Sequence, residues 1–179
     1  FYTSTEGPAG VYLISDDNRA AALPTHPSFA GIANNRAFEA LAIDKSGVLY
    51  TLPERPTSGT SLFPLYAFEG GAWRVEAQLP QSQGMMAVGA DFGPDGLLYL
   101  LERGIGWQGF TSQVRRFDLR QPERKPELVL RTQPGTHGNL EGLSLWQNAA
   151  GATILTMVAD NNFLSLQRSH LVEYQLQAD

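Results

Sequence analysis

No cysteine occurs anywhere in the 179 residues, which removes disulfides, a thiolate nucleophile and Cys-ligated zinc. Lysine is almost as scarce, at Lys45 and Lys125 only, and arginine supplies the rest of the 13 cationic side chains. Against 18 Asp and Glu the net charge is −5, with no basic cluster. That argues against nucleic acid, whose phosphates need Lys and Arg to displace their counterions. No apolar run nears the roughly 18 residues of a membrane span. No stretch carries apolar residues at i, i+3, i+4 and i+7 over three turns, so a helical fold is disfavoured. The chain opens on Phe1 rather than Met, and sequence upstream of it is expected.

What is abundant is turn chemistry. Eighteen Gly and 11 Pro are spread throughout, a composition that suits short strands joined by tight turns. An internal repeat organises them. Gly47-Val48-Leu49-Tyr50-Thr51-Leu52 and Gly96-Leu97-Leu98-Tyr99-Leu100-Leu101 match closely, each after a turn, Asp44–Gly47 or Gly93–Gly96. A third copy turns at Gly151 and runs through Thr153 to Asp160, and residues 2–6 resemble the tail of a fourth. Third strands are predicted at 10–15, 62–68, 113–119 and 170–176, and fourth strands at 72–79, 127–132 and 20–23. Four short strands per 40–50 residues is the rhythm of β-propeller blades.

The expected fold is therefore all-β, a β-propeller of about three and a quarter four-stranded blades. Residues 1–179 read as one domain, the C-terminal part of a larger ring of about six blades. A small open β-sandwich is the alternative.

The repeat also places polar residues. In a propeller blade the start of the inner strand and the end of the next lie on one face. Asn35, Glu39, Asn139 and Glu141 stand at inner-strand starts, and acidic residues at 6, 54, 102 and 160 close the second strands. Carboxylates and Asn carbonyls around one channel mouth could hold a hard cation, Ca²⁺ before Mg²⁺. The plainer reading is that these acids accept hydrogen bonds from neighbouring backbone. Val88 stands where Glu39 stands in the other copy, and that departure from the repeat favours a site.

Arg103 opens the segment Gly104-Ile105-Gly106-Trp107-Gln108-Gly109-Phe110. It could clamp an anion or only bridge neighbouring sheets. The segment matches G-x-G-x-x-G formally, but a strand rather than a helix is predicted to follow, so a dinucleotide site is rejected. Trp107 and Phe110 could cover a ligand or pack on the fold. His137, just before Asn139, is the one histidine near the expected mouth and a candidate general acid or base. His26 and His170 show no partner in the sequence. No nucleophile elbow, P-loop or H-E-x-x-H occurs.

The run Phe38-Glu39-Ala40-Leu41-Ala42 with Asn35, the Leu101-Glu102-Arg103 segment, Asn139-Leu140-Glu141-Gly142 and Asp160-Asn161-Asn162-Phe163 with Gln167-Arg168 carry a resemblance. Together they resemble the phytase-like proteins described by the "esterase-like activity of phytase". The resemblance implies a bacterial propeller, periplasmic or secreted, that hydrolyses phosphate or carboxylate esters. The lysine-rich, aspartate-dense phosphate site of β-propeller phytases has no counterpart here.

The functional expectation is a metal-dependent ester hydrolase. Glu39, Glu141, Asn139, Glu102 and Asp160 would hold calcium, Arg103 would steady the anion and His137 would move the proton. The partners expected are a small ester or anion, and blades supplied by missing sequence or another chain. A non-catalytic propeller binding a ligand or protein on the same face, with a structural cation, is the alternative.

Overall fold

A computed structural model describes residues 1–5, 7, 9–32, 37–57, 59–163 and 168–177. Among these, fourteen strands form four separate antiparallel sheets, and the one helical element is a 3₁₀ turn at Pro27–Gly31. The chain divides into two compact units, Phe1–Gln83 and Gly84–Asp179. Each unit holds two sheets, and every sheet is a meander whose strands pair in chain order.

In the first unit, β1 (Tyr2–Thr5), β2 (Gly10–Ile14) and β3 (Ala20–Ala22) make a three-stranded sheet. The four-stranded sheet beside them in sequence comprises β4 (Ala40–Ile43), β5 (Leu49–Leu52), β6 (Leu62–Glu69) and β7 (Ala72–Pro80). The second unit has β8 (Met86–Phe92), β9 (Leu98–Gly106), β10 (Gly109–Phe117) and β11 (Glu127–Arg131) in one sheet. Its other sheet is β12 (Asn139–Gln147), β13 (Thr153–Asp160) and β14 (His170–Gln175).

The repeat is built by one turn used three times. Asp44 N–H donates to Val48 O, Gly93 N–H to Leu97 O and Asn148 N–H to Ala152 O, each at 3.0 Å. Within those turns Gly47, Gly96 and Gly151 lie at φ of 86°, 75° and 78°, a region open to glycine and strained for other residues. The Asp44 and Asn148 side chains accept two backbone N–H groups each, so the turn's orphan donors are satisfied.

Packing then follows from alternation and from doubly buried inner strands. In the first unit Val11, Phe29, Phe38, Leu49, Tyr66 and Trp73 form the core. The 3₁₀ turn exists to place Phe29 there: His26 caps it and shares Ser28 with the Tyr66 hydroxyl, at 2.7 Å on each side. In the second unit Met86, Val88, Tyr99, Leu101, Val114, Leu140, Leu155 and Met157 pack together. Each fully buried apolar side chain of this size contributes about 1.5–3 kcal/mol.

The two sheets of the second unit meet through their first strands. An added Cβ on Gly89 of β8 would lie 3.1 Å from Glu141 O and 3.2 Å from Leu143 N of β12. Farther along, Leu145 N–H donates to Asp91 Oδ2 at 2.7 Å.

The register corrects one expectation. Asn139 pairs with Asp160, whereas Ala87 pairs with Glu102 and Met86 with Arg103. Between Ala87 and Gly89, and between Leu140 and Gly142, one residue is extra: Val88 in β8 and Glu141 in β12. Counted from these equivalent bulges, the partner of Asp160 in the earlier repeat is Arg103, not Glu102. A shift of one residue turns a side chain to the opposite face of the sheet. Glu102 and Asp160 therefore do not occupy equivalent places. The first sheet has its three strands where the tail at 2–6 and the strands at 10–15 and 20–23 were expected.

Candidate functional site

The polar centre of the second unit is a network of Arg103, Asn139 and Glu141. Arg103, on β9, sends Nη1 to Asn139 Oδ1 and, at 2.5 Å, to Glu141 Oε1. Asn139 Nδ2 donates to the same Glu141 oxygen at 2.6 Å. Asn139 is 1% exposed and Arg103 8%, while the Glu141 side chain keeps a third of its surface open. The bulge in β12 is what aims Glu141 this way, because an extra residue re-directs the side chain without breaking the strand. The Arg103 guanidinium also lies over the Phe110 ring, 5.9 Å from its centroid.

Glu102 is elsewhere. It is fully buried, and Arg115 grips both its oxygens, Nε to Oε2 at 2.6 Å and Nη2 to Oε1 at 2.7 Å. Gln113 Nε2 adds a third bond at 2.8 Å. This is an internal ion pair of β9 and β10, with its carboxylate oxygens consumed.

His137 stands two residues before Asn139. Its Nε2 is 2.8 Å from the Tyr174 hydroxyl, and its ring centroid is 6.2 Å from that of His170. Burial, with the nearby His170 adding to it, pushes its pKa below the ordinary histidine value, so the imidazole is neutral at pH 7. His170 points Nδ1 at Arg168 O, 3.0 Å away. The sequence showed no partner for His170 because the contact joins a loop to a strand 33 residues on.

Asp160 faces Asn139 across the strand pair and accepts Asn162 N–H on Oδ2 at 3.1 Å. Glu39 belongs to the first unit, half-buried just before β4. Glu54 is buried there, with its N–H on Ala37 O at 2.9 Å and Arg55 Nε at 3.9 Å. Glu6 and Asn35 lie outside the described residues.

A calcium cage needs six to eight oxygens turned toward one point. Here Asn139 Oδ1 and Glu141 Oε1 face a guanidinium, and those of Glu102 face another. Among the described residues no group of three His, Asp or Glu side chains is close enough to hold a metal. The positive charge at this centre is Arg103.

A family model described as Phytase-like, "Esterase-like activity of phytase", matches residues 1–163. The chain belongs to this family. Members of it are β-propellers, and the four meander sheets agree with the all-β part of that description. No curated protein matches the chain. Among solved structures, it is similar to a protein of unknown function from Bacteroides caccae at 12% identity and a TM-score of 0.49. That likeness covers 98% of this chain and 58% of the other, so the chain spans little more than half of that protein's length. Among the described residues of this family member, no helix is long and apolar enough to cross a membrane.

Proposed function

We propose that this family member is an ester hydrolase whose sheets are propeller blades, with its reaction centre at Arg103, Asn139 and Glu141. The observation that carries the reading is the buried guanidinium on β9 held by an amide and a carboxylate at the start of β12. Ester hydrolysis builds negative charge on the carbonyl or phosphoryl oxygen, and fixed N–H donors in a water-poor site stabilise that charge. Arg103 supplies such donors, and Asn139 and Glu141 fix their direction.

In this scheme the oxygen of a water molecule adds to the ester centre. Its proton passes to His137, whose neutral, proton-accepting form burial favours. The electron pair moves onto the oxygen facing Arg103; it then returns as the ester C–O or P–O bond breaks, and protonated His137 gives its proton to the leaving alcohol oxygen. Tyr174 orients the imidazole through its hydroxyl. Guanidinium, rather than calcium, carries the electrophilic role, because the donor oxygens are turned toward arginine.

The test is turnover of 4-nitrophenyl acetate and 4-nitrophenyl phosphate by the purified protein, with calcium and with a chelator. Turnover of at least one ester, equal in both conditions, is expected. A rate that vanishes with the chelator and returns with calcium would restore the metal-dependent scheme, and no turnover of either ester ends the hydrolase reading.

A further inference from the structure

The second repeat departs from the first in the hairpin that follows Arg103. In the first unit, strand β5 stops at Leu52 and β6 resumes at Leu62. In the second, β9 runs on to Gly106, turns through Trp107 and Gln108, and returns at Gly109. This extension carries apolar side chains into solvent: Ile105 is 68% exposed and Trp107 93%. Exposed residues of this size, grouped on one device beside a polar centre, mark binding surfaces more often than packing.

Their direction follows from the register. Arg103 pairs with Ser112, Ile105 with Phe110 and Gly106 with Gly109, without a bulge. Side chains two apart share a face, so Arg103, Ile105 and Phe110 project together. The contact of the Arg103 guanidinium with the Phe110 ring bears this out. An apolar strip of Ile105 and Phe110 thus leads from the Arg103 network toward the turn that carries Trp107.

The tip is also held in place. Gly135 N–H donates to Phe110 O at 2.8 Å, and an added Cβ on Gly135 would come 3.1 Å from Gln108 O. The segment that latches the hairpin is the one that delivers His137 and Asn139. A hairpin backbone fixed before binding spares part of the ordering entropy when a ligand arrives.

We propose that Ile105, Trp107 and Phe110 form the subsite for a flat aromatic group of the ester, making this a centre for aryl-bearing rather than short alkyl esters. The proposal rests on the ester-hydrolase reading above for its reaction, and on the hairpin alone for its binding. The strip is apolar and adjoins a cationic group, and ring stacking on Trp is its strongest available contact.

The experiment compares benzyl acetate with ethyl acetate, whose leaving alcohols are of similar basicity, in wild type and Trp107→Ala. The substituted side chain is almost fully exposed, so folding is retained. The expected result is a KM for benzyl acetate raised about tenfold with kcat retained, and ethyl acetate kinetics unchanged. Calorimetric titration with 2-naphthol, which is not hydrolysed, runs alongside and should weaken by a similar factor. Turnover that is the same in both proteins for both esters overturns the subsite and leaves the hydrolase intact. Binding of 2-naphthol that is lost in Trp107→Ala, without turnover of any ester, keeps the subsite and ends the hydrolase reading. Neither turnover nor binding removes both. Association of wild type with lipid vesicles, lost in Trp107→Ala, with no effect on benzyl acetate, would make the tip a membrane contact and overturn the proposal.

Discussion

At the scale of single residues, two arginines in one sheet do different work. Arg115 is spent inside, closing both oxygens of a carboxylate that has no exposed surface. Arg103 is as buried as Arg115, but the carboxylate it holds is one-third open. The distinction sets a stability prediction. Arg115→Met leaves the Glu102 charge buried without its cation and should cost about 3–5 kcal/mol in urea denaturation. Adding Glu102→Leu removes that stranded charge, and the double variant should recover most of the loss. A single-variant loss below about 1 kcal/mol would mean that water reaches Glu102.

Arg103, Asn139 and Glu141 were each legible as candidates from their places in the repeat, but their contact was not. Arg103 and Asn139 are 36 residues apart, and only the closeness of β8 and β12 joins them. Glu102 was misplaced for a definable reason. The arm between bulge and hairpin turn is two residues longer in β12 (Glu141 to Gln147) than in β8 (Val88 to Phe92), so matching acidic strand ends set Glu102 against Asp160 where the register sets Arg103.

At the scale of elements, the strands were the most readable part. Turns with glycine at Gly47, Gly96 and Gly151 announce the first hairpin of three sheets, because each needs a positive φ. Predicted strands at 62–68, 72–79 and 127–132 match β6, β7 and β11 to within a residue at each end. The strand 113–119 was foreseen too late, since β10 begins at Gly109 as the return of an extended hairpin. The G-x-G-x-x-G likeness at Gly104–Gly109 is that hairpin, a strand–turn–strand and not a phosphate loop. The 3₁₀ turn at Pro27–Gly31 had no periodicity to reveal it, being one turn long.

Gly89 makes the tie between strands testable. Gly89→Ala puts a methyl against the β12 backbone at Glu141 and Leu143, where no side chain can swing away. It should cost about 1–3 kcal/mol and reduce turnover by moving Glu141. Gly106→Ala, with open space around it, should change stability by less than about 0.5 kcal/mol. Thermal melts of both variants check this, and equal melts would show that β8 and β12 are not in contact.

At the scale of the whole molecule, the all-β class followed from composition and repeat, and the family from short motifs at strand ends. What composition could not convey is how charge is partitioned. A chain with 18 acidic and 13 basic side chains looks like a source of cation ligands. In the fold, arginines take up several of those carboxylates, among them Glu102, Glu127 and Glu141. The account therefore hangs on one charged network between β9 and the start of β12, and its central claim is that Glu141 and Arg103 act on a substrate rather than merely tying two sheets.

The measurement that separates these is the kinetics of Glu141→Gln beside its melting temperature. The substitution keeps shape and one hydrogen-bond acceptor while removing the charge that holds the guanidinium. The account predicts a fall in kcat/KM of about a hundredfold, as for loss of one oriented electrostatic group, with the melting midpoint within a few degrees of wild type. A midpoint lowered by ten degrees or more, with turnover per folded molecule unchanged, would contradict it and make the network a structural tie.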